Sequence, residues 1–172
     1  MDLRKGGVLW LNGLAGSGKS FIAEALYKNL RRKMNTIILL DGDKFRELLE
    51  NFAYDKESRI EVSLKRSQFA HFLSSQGMLV IVSAISMWNK VYRYNRETLQ
   101  QYFEIYVKCE LDELKRRDKK GLYSGFTNGK ISNVVGMDIN YDEPKPDLLI
   151  DNTKCDLLDE KVQKIVNALK FD

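Results

Sequence analysis

One stretch near the start of the chain limits its fold more than any other: Gly13-Leu14-Ala15-Gly16-Ser17-Gly18-Lys19-Ser20, which fits G-x-x-x-x-G-K-[ST]. The flanks decide what it means. Val8-Leu9-Trp10-Leu11 is a short apolar run of the kind a buried strand requires, and Phe21, Ile22, Ala25, Leu26 and Leu30 recur at helical spacing from Phe21 to Leu30. Strand, glycine loop and helix follow one another in the order that cradles a phosphate. Glycines let backbone N–H groups curl around the anion, and the positive end of the helix dipole points at it. Gly13 to Ser20 are therefore read as the binding loop of a nucleoside triphosphate. Lys19 is expected to reach the β- and γ-phosphates, and the Ser20 hydroxyl to ligate Mg²⁺. A glycine-rich turn with a solvated lysine needs neither flank.

The 172 residues, with two prolines and no Ser/Gly-rich stretch, predict a single domain over 1–172 with one sizeable core. The longest apolar run, Met78 to Val82, is too short to span a bilayer. The opening Met1-Asp2-Leu3-Arg4-Lys5-Gly6-Gly7 lacks the apolar stretch of a secretory signal, so a cytoplasmic location without membrane attachment is expected. Lys plus Arg, 28, exceed Asp plus Glu, 24, giving a mild net charge of +4. Both signs are interspersed in Lys108 to Lys120, unlike a nucleic-acid surface, while a positive excess suits polyanionic nucleotides. Cys109 and Cys155 have no metal-type spacing. His71 is the only histidine and lies in an apolar helical pattern with Phe69 and Phe72. Serine–histidine and histidine–metal chemistries are thereby excluded, and any general base on the protein must be a carboxylate.

Further strands are predicted at Thr36–Leu40, Met78–Val82, Phe103–Val107 and Leu148–Ile150. Helices are predicted over Phe45 to Asn51, Glu57 to Gln76, Arg93 to Tyr102 and from Asp112 to Arg117. Lys120 to Gly136 shows little periodicity. Asp156 is expected to cap a last helix with Leu157, Leu158, Val162, Ile165, Val166 and Leu169 facing inward. Apolar strands alternating with helices give an α/β fold: a five-stranded parallel sheet with helices on both faces. Ligands of such sheets sit beyond the strands' carboxyl ends. Gly13 to Ser20, Asp41 to Asp43, Ser83 to Ser86 and the segment after Ile150 gather there.

Phosphoryl transfer needs positioning and charge neutralisation. Asp43 is placed to bind Mg²⁺ through water or to accept a proton from an acceptor hydroxyl, and Asp41 to hold the loop; a helix N-cap is the plainer role for either. Arg46, Arg59, Arg93, Arg96, Arg117, Lys119 and Lys120 are candidate phosphate partners. Arg117 to Tyr123 reads as one unit, a charged hinge followed by Gly121 and an aromatic, the start of a lid at about 117–136. A GTPase is disfavoured: Asp118-Lys119-Lys120-Gly121 matches D-x-x-G, but Asn89-Lys90-Val91-Tyr92 lacks the aspartate of N-K-x-D. The third strand ends in Ser83 without the acidic pair of a nucleic-acid-dependent ATPase.

Together with the phosphate loop, Asp41-Gly42-Asp43, Ser83-Ala84-Ile85-Ser86, Phe103-Glu104-Ile105-Tyr106-Val107 and Arg117-Asp118-Lys119-Lys120-Gly121-Leu122-Tyr123 resemble adenylylsulfate kinase over nearly the whole chain. The resemblance implies a P-loop kinase, usually dimeric, that transfers the γ-phosphate of MgATP to the ribose 3′-hydroxyl of a nucleotide carrying a mixed anhydride. Carried onto matching positions, it implies Asp43, Lys19 and Lys120 in catalysis and Arg117 beside the ATP loop. Around the acceptor it places Asp43, Arg46, Tyr54, Arg59, Ile85, Ser86, Lys120, Leu122 and Val134.

The departures fall on the acceptor side. The family's Asp-Arg-x-x-Asn-x-Arg-Arg is here Ser58-Arg59-Ile60-Glu61-Val62-Ser63-Leu64-Lys65, so an asparagine is Val62 and an arginine Leu64. Ser-Pro-Tyr-Arg is Ser86-Met87-Trp88-Asn89, and Phe-Thr-Gly-Ile is Val134-Val135-Gly136-Met137, so of two rings that sandwich adenine only Tyr54 remains. Losing a ring removes stacking surface, and losing Asn and Arg removes donors. A pyrimidine fits such a site better. The pattern resembles the capsule-locus branch of the family, which acts on cytidine diphosphoramidate; an adenylylsulfate kinase of sulfate assimilation is the alternative.

Overall fold

A computed structural model describes residues 5–170, so the opening Met1–Arg4 and the last two positions of the 1–172 reading lie outside the described residues. Five strands, β1 (Gly7–Asn12), β2 (Ile37–Asp41), β3 (Leu79–Ala84), β4 (Tyr102–Lys108) and β5 (Leu148–Asp151), form one sheet. The order is β2-β3-β1-β4-β5 and every pairing is parallel. The helices are α1 (Lys19–Arg31), α2 (Gly42–Leu48), α3 (Lys56–Ser75), α4 (Asn89–Thr98), α5 (Leu111–Arg117), α6 (Leu122–Thr127) and α7 (Leu158–Ala168).

Alternation along β1 shows why both faces are covered. Leu9 and Leu11 pack with Ile22, Leu26 and Leu30 of α1 and with Val162, Ile165 and Val166 of α7. Val8 and Trp10 point the other way, to Phe45 of α2 and Val62 and Ala70 of α3. Successive strand side chains face opposite sides, so a run that is apolar at every position must be buried on both. A third cluster joins Leu14, Tyr106, Leu114, Tyr123, Val134 and Val135 beside the phosphate loop.

Several boundaries differ from the sequence reading for identifiable reasons. The helix expected at Phe45 starts at Gly42, because Asp41 caps it by accepting from the backbone N–H of Asp43 and Lys44 at 3.0 and 3.2 Å. Asp43 therefore sits in the first turn. β3 runs on to Ala84, where Ser83 and Ala84 pair with Leu11 and Asn12. The helix expected over Arg93 to Tyr102 is Asn89–Thr98, and Tyr102 opens β4 beside Val8. The aperiodic stretch after Lys120 hides α6, preceded by a 3₁₀ turn over Lys119–Gly121. Asp156 does not cap the last helix: Leu157, at φ 52°, precedes it, and Asp156 accepts from Lys161. Leu157, expected inward, is 56% exposed, and Phe21, one of the residues at helical spacing, is 60% exposed. Each sits at a helix entrance, where the apolar stripe has not yet turned to the core.

Candidate active site at the carboxyl edge of the sheet

The phosphate loop joins β1 to α1, and its glycines are required by space. A Cβ on Gly13 would stand 2.6 Å from both Ser17 Oγ and the Val107 carbonyl oxygen. At Gly18, φ is 90° and a Cβ would strike the Asn152 amide nitrogen. Asn152, after β5, donates from Nδ2 to the Ser17 carbonyl at 2.7 Å, while its Oδ1 accepts from Lys161 at 2.8 Å. The loop is thus held from the far side by a buried amide. Tyr123 adds a second hold, donating to the Ala15 carbonyl at 2.7 Å.

Lys19 folds into the loop and donates to the Leu14 carbonyl at 3.3 Å. Burial pulls its pKa down to about 8, against the opposing pull of Asp43 and Asp41. A desolvated ammonium inside a ring of amides is built to meet anions. Ser20 Oγ lies 3.1 Å from Ser83 Oγ, and Ser83 is the register partner of Asp41. A cleft of about 460 Å³ opens here, lined among others by Ser20, Asp41, Lys44 and Lys119. Arg117 closes the other flank, donating to the carbonyls of Gly16, Asn152 and Thr153 at 3.2, 2.8 and 2.7 Å and to Glu113. These bonds make Arg117 a fixed wall of the loop rather than a free hinge.

Across the edge, Asp43 meets Lys120 at 3.0 Å, both side chains largely exposed. Burial raises the Asp43 carboxyl, but the bond from Lys120 and the charges of Lys120, Lys19 and Arg46 outweigh it and hold it below the usual carboxylate range. Arg46 and Arg59 both lie over the Tyr54 ring, at 4.7 and 5.1 Å from its centroid. Arg46 donates to the Ala53 carbonyl at 2.8 Å, and Arg59 to the carbonyls of Tyr54 and Asn133 at 2.6 and 2.8 Å. Ser86 is buried on the same edge, its N–H donating to Asn12 Oδ1 at 3.2 Å. Ile85 and Leu122 are half-buried, whereas Val134 is sequestered in the third apolar cluster beneath the loop that Arg59 grips.

The geometry brings Lys19, Ser20, Asp41, Asp43, Arg46, Tyr54, Arg59, Ser86, Arg117 and Lys120 to one edge. It leaves Arg96 away from it. Arg96 pairs with Asp147 at 2.9 Å and with buried Glu104 at 3.2 Å, and Arg93 lines a groove of about 560 Å³ beside that pair. Glu104 in turn accepts from Asn12 Nδ2 at 2.9 Å, so a buried chain runs from Arg96 to the backbone of Ser86. Asn12 and Asn152 were missed in the sequence; Asn12 is a lone polar residue at the end of an apolar strand, which was an available signal, whereas Asn152 lies in the polar run Asp151-Asn152-Thr153-Lys154 and nothing singles it out.

A parallel sheet carrying this loop, a half-buried lysine folded into it and an acidic residue facing it define a P-loop kinase. The sequence profile of adenylylsulphate kinases matches residues 5–151. The chain belongs to the adenylylsulfate kinase family, enzymes that transfer phosphate to a hydroxyl group. It is 51% identical over 162 residues to the cytidine diphosphoramidate kinase of Campylobacter jejuni, covering 94% of this chain and 95% of that one. It is 38% identical over 170 residues to the adenylyl-sulfate kinase of Bacillus velezensis, covering 96% and 86%. The APS kinase CysC of Mycobacterium tuberculosis, solved in complex with AMPPNP and APS, superposes with a TM-score of 0.88 at 32% identity, over 96% of this chain and 98% of that one. Among the described residues no helix is long and apolar enough to cross a membrane.

Proposed function

We propose that this enzyme phosphorylates the ribose 3′-hydroxyl of cytidine diphosphoramidate with ATP, in the making of a capsule precursor. One observation carries the reading: identity of 51% to a cytidine diphosphoramidate kinase, against 38% to adenylyl-sulfate kinases, over nearly complete chains. The rewritten acceptor positions agree with it. Val62 and Val134 are buried apolar residues, so the polar and ring contacts that the resemblance implies for adenylylsulfate are missing.

In this reading the triphosphate lies in the loop from Gly13 to Ser20, with Lys19 between its outer phosphates. The site also suits Mg²⁺ by the chemistry of its donors: Ser20, Ser83 and Asp41 offer hard oxygens at one edge of the loop. Among the described residues no group of three acidic, His or Cys residues could hold a metal alone. Ser20 would therefore hold the ion jointly with the substrate phosphates, as Mg²⁺ sites in kinases commonly do. When bound, the ion neutralises charge developing on the transferred group.

Asp43 accepts a hydrogen bond from the 3′-hydroxyl and aims its oxygen at the γ-phosphorus. Its low pKa makes it a weak proton acceptor at rest, so its first role is orientation, and the proton leaves late in a loose transition state. Lys120 engages only Oδ2 of Asp43, which leaves Oδ1 to accept from the hydroxyl. Between the anchored Arg117 and Tyr123, the stretch 118–122 then closes as the lid, carrying Lys120 and Leu122 over the acceptor, while Arg46, Arg59, Tyr54, Ile85 and Ser86 line it. We further assign the enzyme to the cytoplasm as a homodimer.

The test is a comparison of kcat/KM, with ATP and Mg²⁺, for cytidine diphosphoramidate, simple cytidine nucleotides and adenylylsulfate. Cytidine diphosphoramidate should lead. A wide lead for adenylylsulfate would instead establish the second reading, an adenylylsulfate kinase.

A further inference from the structure

Three guanidinium groups stand close together on the acceptor side, and their partners are the informative part. Arg46 and Arg59 bond to backbone carbonyls and lie over Tyr54. The third, Arg66, projects from the middle of α3 and is only 3% exposed. Its Nη1 donates to Ser86 Oγ at 3.4 Å and its Nη2 to the Gly42 carbonyl at 3.2 Å. Its Nε is buried with no partner, and the group lies 5.2 Å from the centre of the Phe45 ring. Among the described residues none of the three has a carboxylate within ion-pair distance.

A buried, uncompensated cation costs stability, and proteins keep one where a ligand supplies the counter-charge. Directions of the hydrogen bonds locate where that ligand stands. Ser63 spends its proton on the Arg59 carbonyl at 2.7 Å, so in the 2.9 Å contact between Ser63 and Ser86 the donor is Ser86. Ser86 therefore accepts from Arg66 and has no proton left for a ligand. The free donors at this point belong to Arg66. Gly42, its other partner, sits beside Asp43, where the acceptor hydroxyl is read to lie.

We propose that Arg66 is a specificity-determining residue that binds the distal anionic group of the acceptor's anhydride, the group beyond the phosphate attached to the nucleoside. This rests on the reading of the acceptor as a nucleotide with two linked anionic groups. Arg66 thereby occupies the role left open where Leu64 and Val62 offer no donors.

The experiment titrates MgADP-saturated protein with CDP, CMP, adenylylsulfate and AMP by calorimetry. Wild-type protein should bind each two-group nucleotide more tightly than its monophosphate. Arg66→Met should erase about 30-fold of that preference and change monophosphate affinity less than about threefold, the loss expected for one charge-assisted pair. The thermal midpoint of the free variant should not fall, because a buried charge has been removed. Arg66→Lys should restore part of the preference and Arg66→Gln none, which keeps the test open should the methionine variant fold poorly. Equal losses for mono- and two-group nucleotides, or a wild-type protein indifferent to the second group, would overturn the assignment. Ranking by base tests the cytidine reading separately: an Arg66-dependent preference seen only in the adenine series removes cytidine and leaves Arg66 in place.

Discussion

The donor and acceptor halves of the edge are built from different materials. The donor half is mostly backbone: eight consecutive residues from Gly13 to Ser20 bend into a loop, with Asn152 and Tyr123 holding it by its own carbonyls. The acceptor half is mostly side chains, brought from β1, α2, α3 and the loops after α2 and β3. A backbone cradle tolerates few substitutions, since a Cβ at Gly13 or Gly18 collides with its surroundings. A side-chain pocket can be rewritten one position at a time while the sheet beneath stays the same. The difference explains how one fold keeps its donor and changes its acceptor.

If that contrast holds, damage to the donor half should be blind to the acceptor. Lys19→Ala should lower kcat/KM by about 10³-fold for every acceptor alike, the scale of losing a preorganised charge at a transferring phosphoryl group. Steady-state kinetics on two acceptors measure it, and an unimpaired or acceptor-selective variant would break the division. Asp43 belongs to neither half, since it faces both. Asp43→Asn should cut kcat by about 10²-fold, near the lower end of what a positioned acid or base contributes, with ATP affinity nearly intact. Near-normal turnover would remove its assigned role.

The same contrast governs how far the sequence could be read. The phosphate loop is contiguous, so its chemistry and its flanking β1 and α1 are legible from spacing. Strand order is not local, but alternating strands and helices with the loop first leave few alternatives. Helix ends were harder: Asp41 as a cap and Leu157 at positive φ are decided by neighbours outside the segment. On the acceptor side Arg66 carried no signal of its own, because on α3 it is one charge among many until the fold buries it against Ser86 and Gly42. Asn12, Glu104 and Arg96 likewise become one chain only when β1, β4 and α4 are in place.

A gain of function sharpens the comparison at smaller amplitude. Val62→Asn with Leu64→Arg restores on α3 two residue types that the resemblance implies for adenylylsulfate. The kcat/KM for that nucleotide should rise about tenfold relative to cytidine diphosphoramidate, as expected for one or two added polar contacts in a pocket. Val62 is fully buried, so the amide costs about 1–3 kcal/mol of stability if it finds no partner. Ratios of acceptors within one protein sample cancel that cost. An unchanged ratio would mean that specificity lies elsewhere on the edge.

The smallest expected effect separates the halves by pH. Burial pulls Lys19 to about 8 in the free protein, so its charge is complete below that pH and is lost as pH rises through it. A triphosphate favours the charged form, so binding must recharge the lysine at high pH and should take up a proton there. Between pH 7.5 and 8.5 ATP affinity should fall about threefold, the ratio of the charged fractions around a pKa of 8. The acceptor cations behave differently. Burial and the charge of Arg46 pull Arg59 and Arg66 only to about 10, and both stay charged through this window. Acceptor affinity in MgADP-saturated protein should therefore stay flat while ATP affinity declines, and Lys19→Arg should flatten the ATP profile too. Calorimetry in two buffers of different ionisation enthalpy reads the proton uptake directly. A parallel decline for both substrates would place the titrating group outside the phosphate loop.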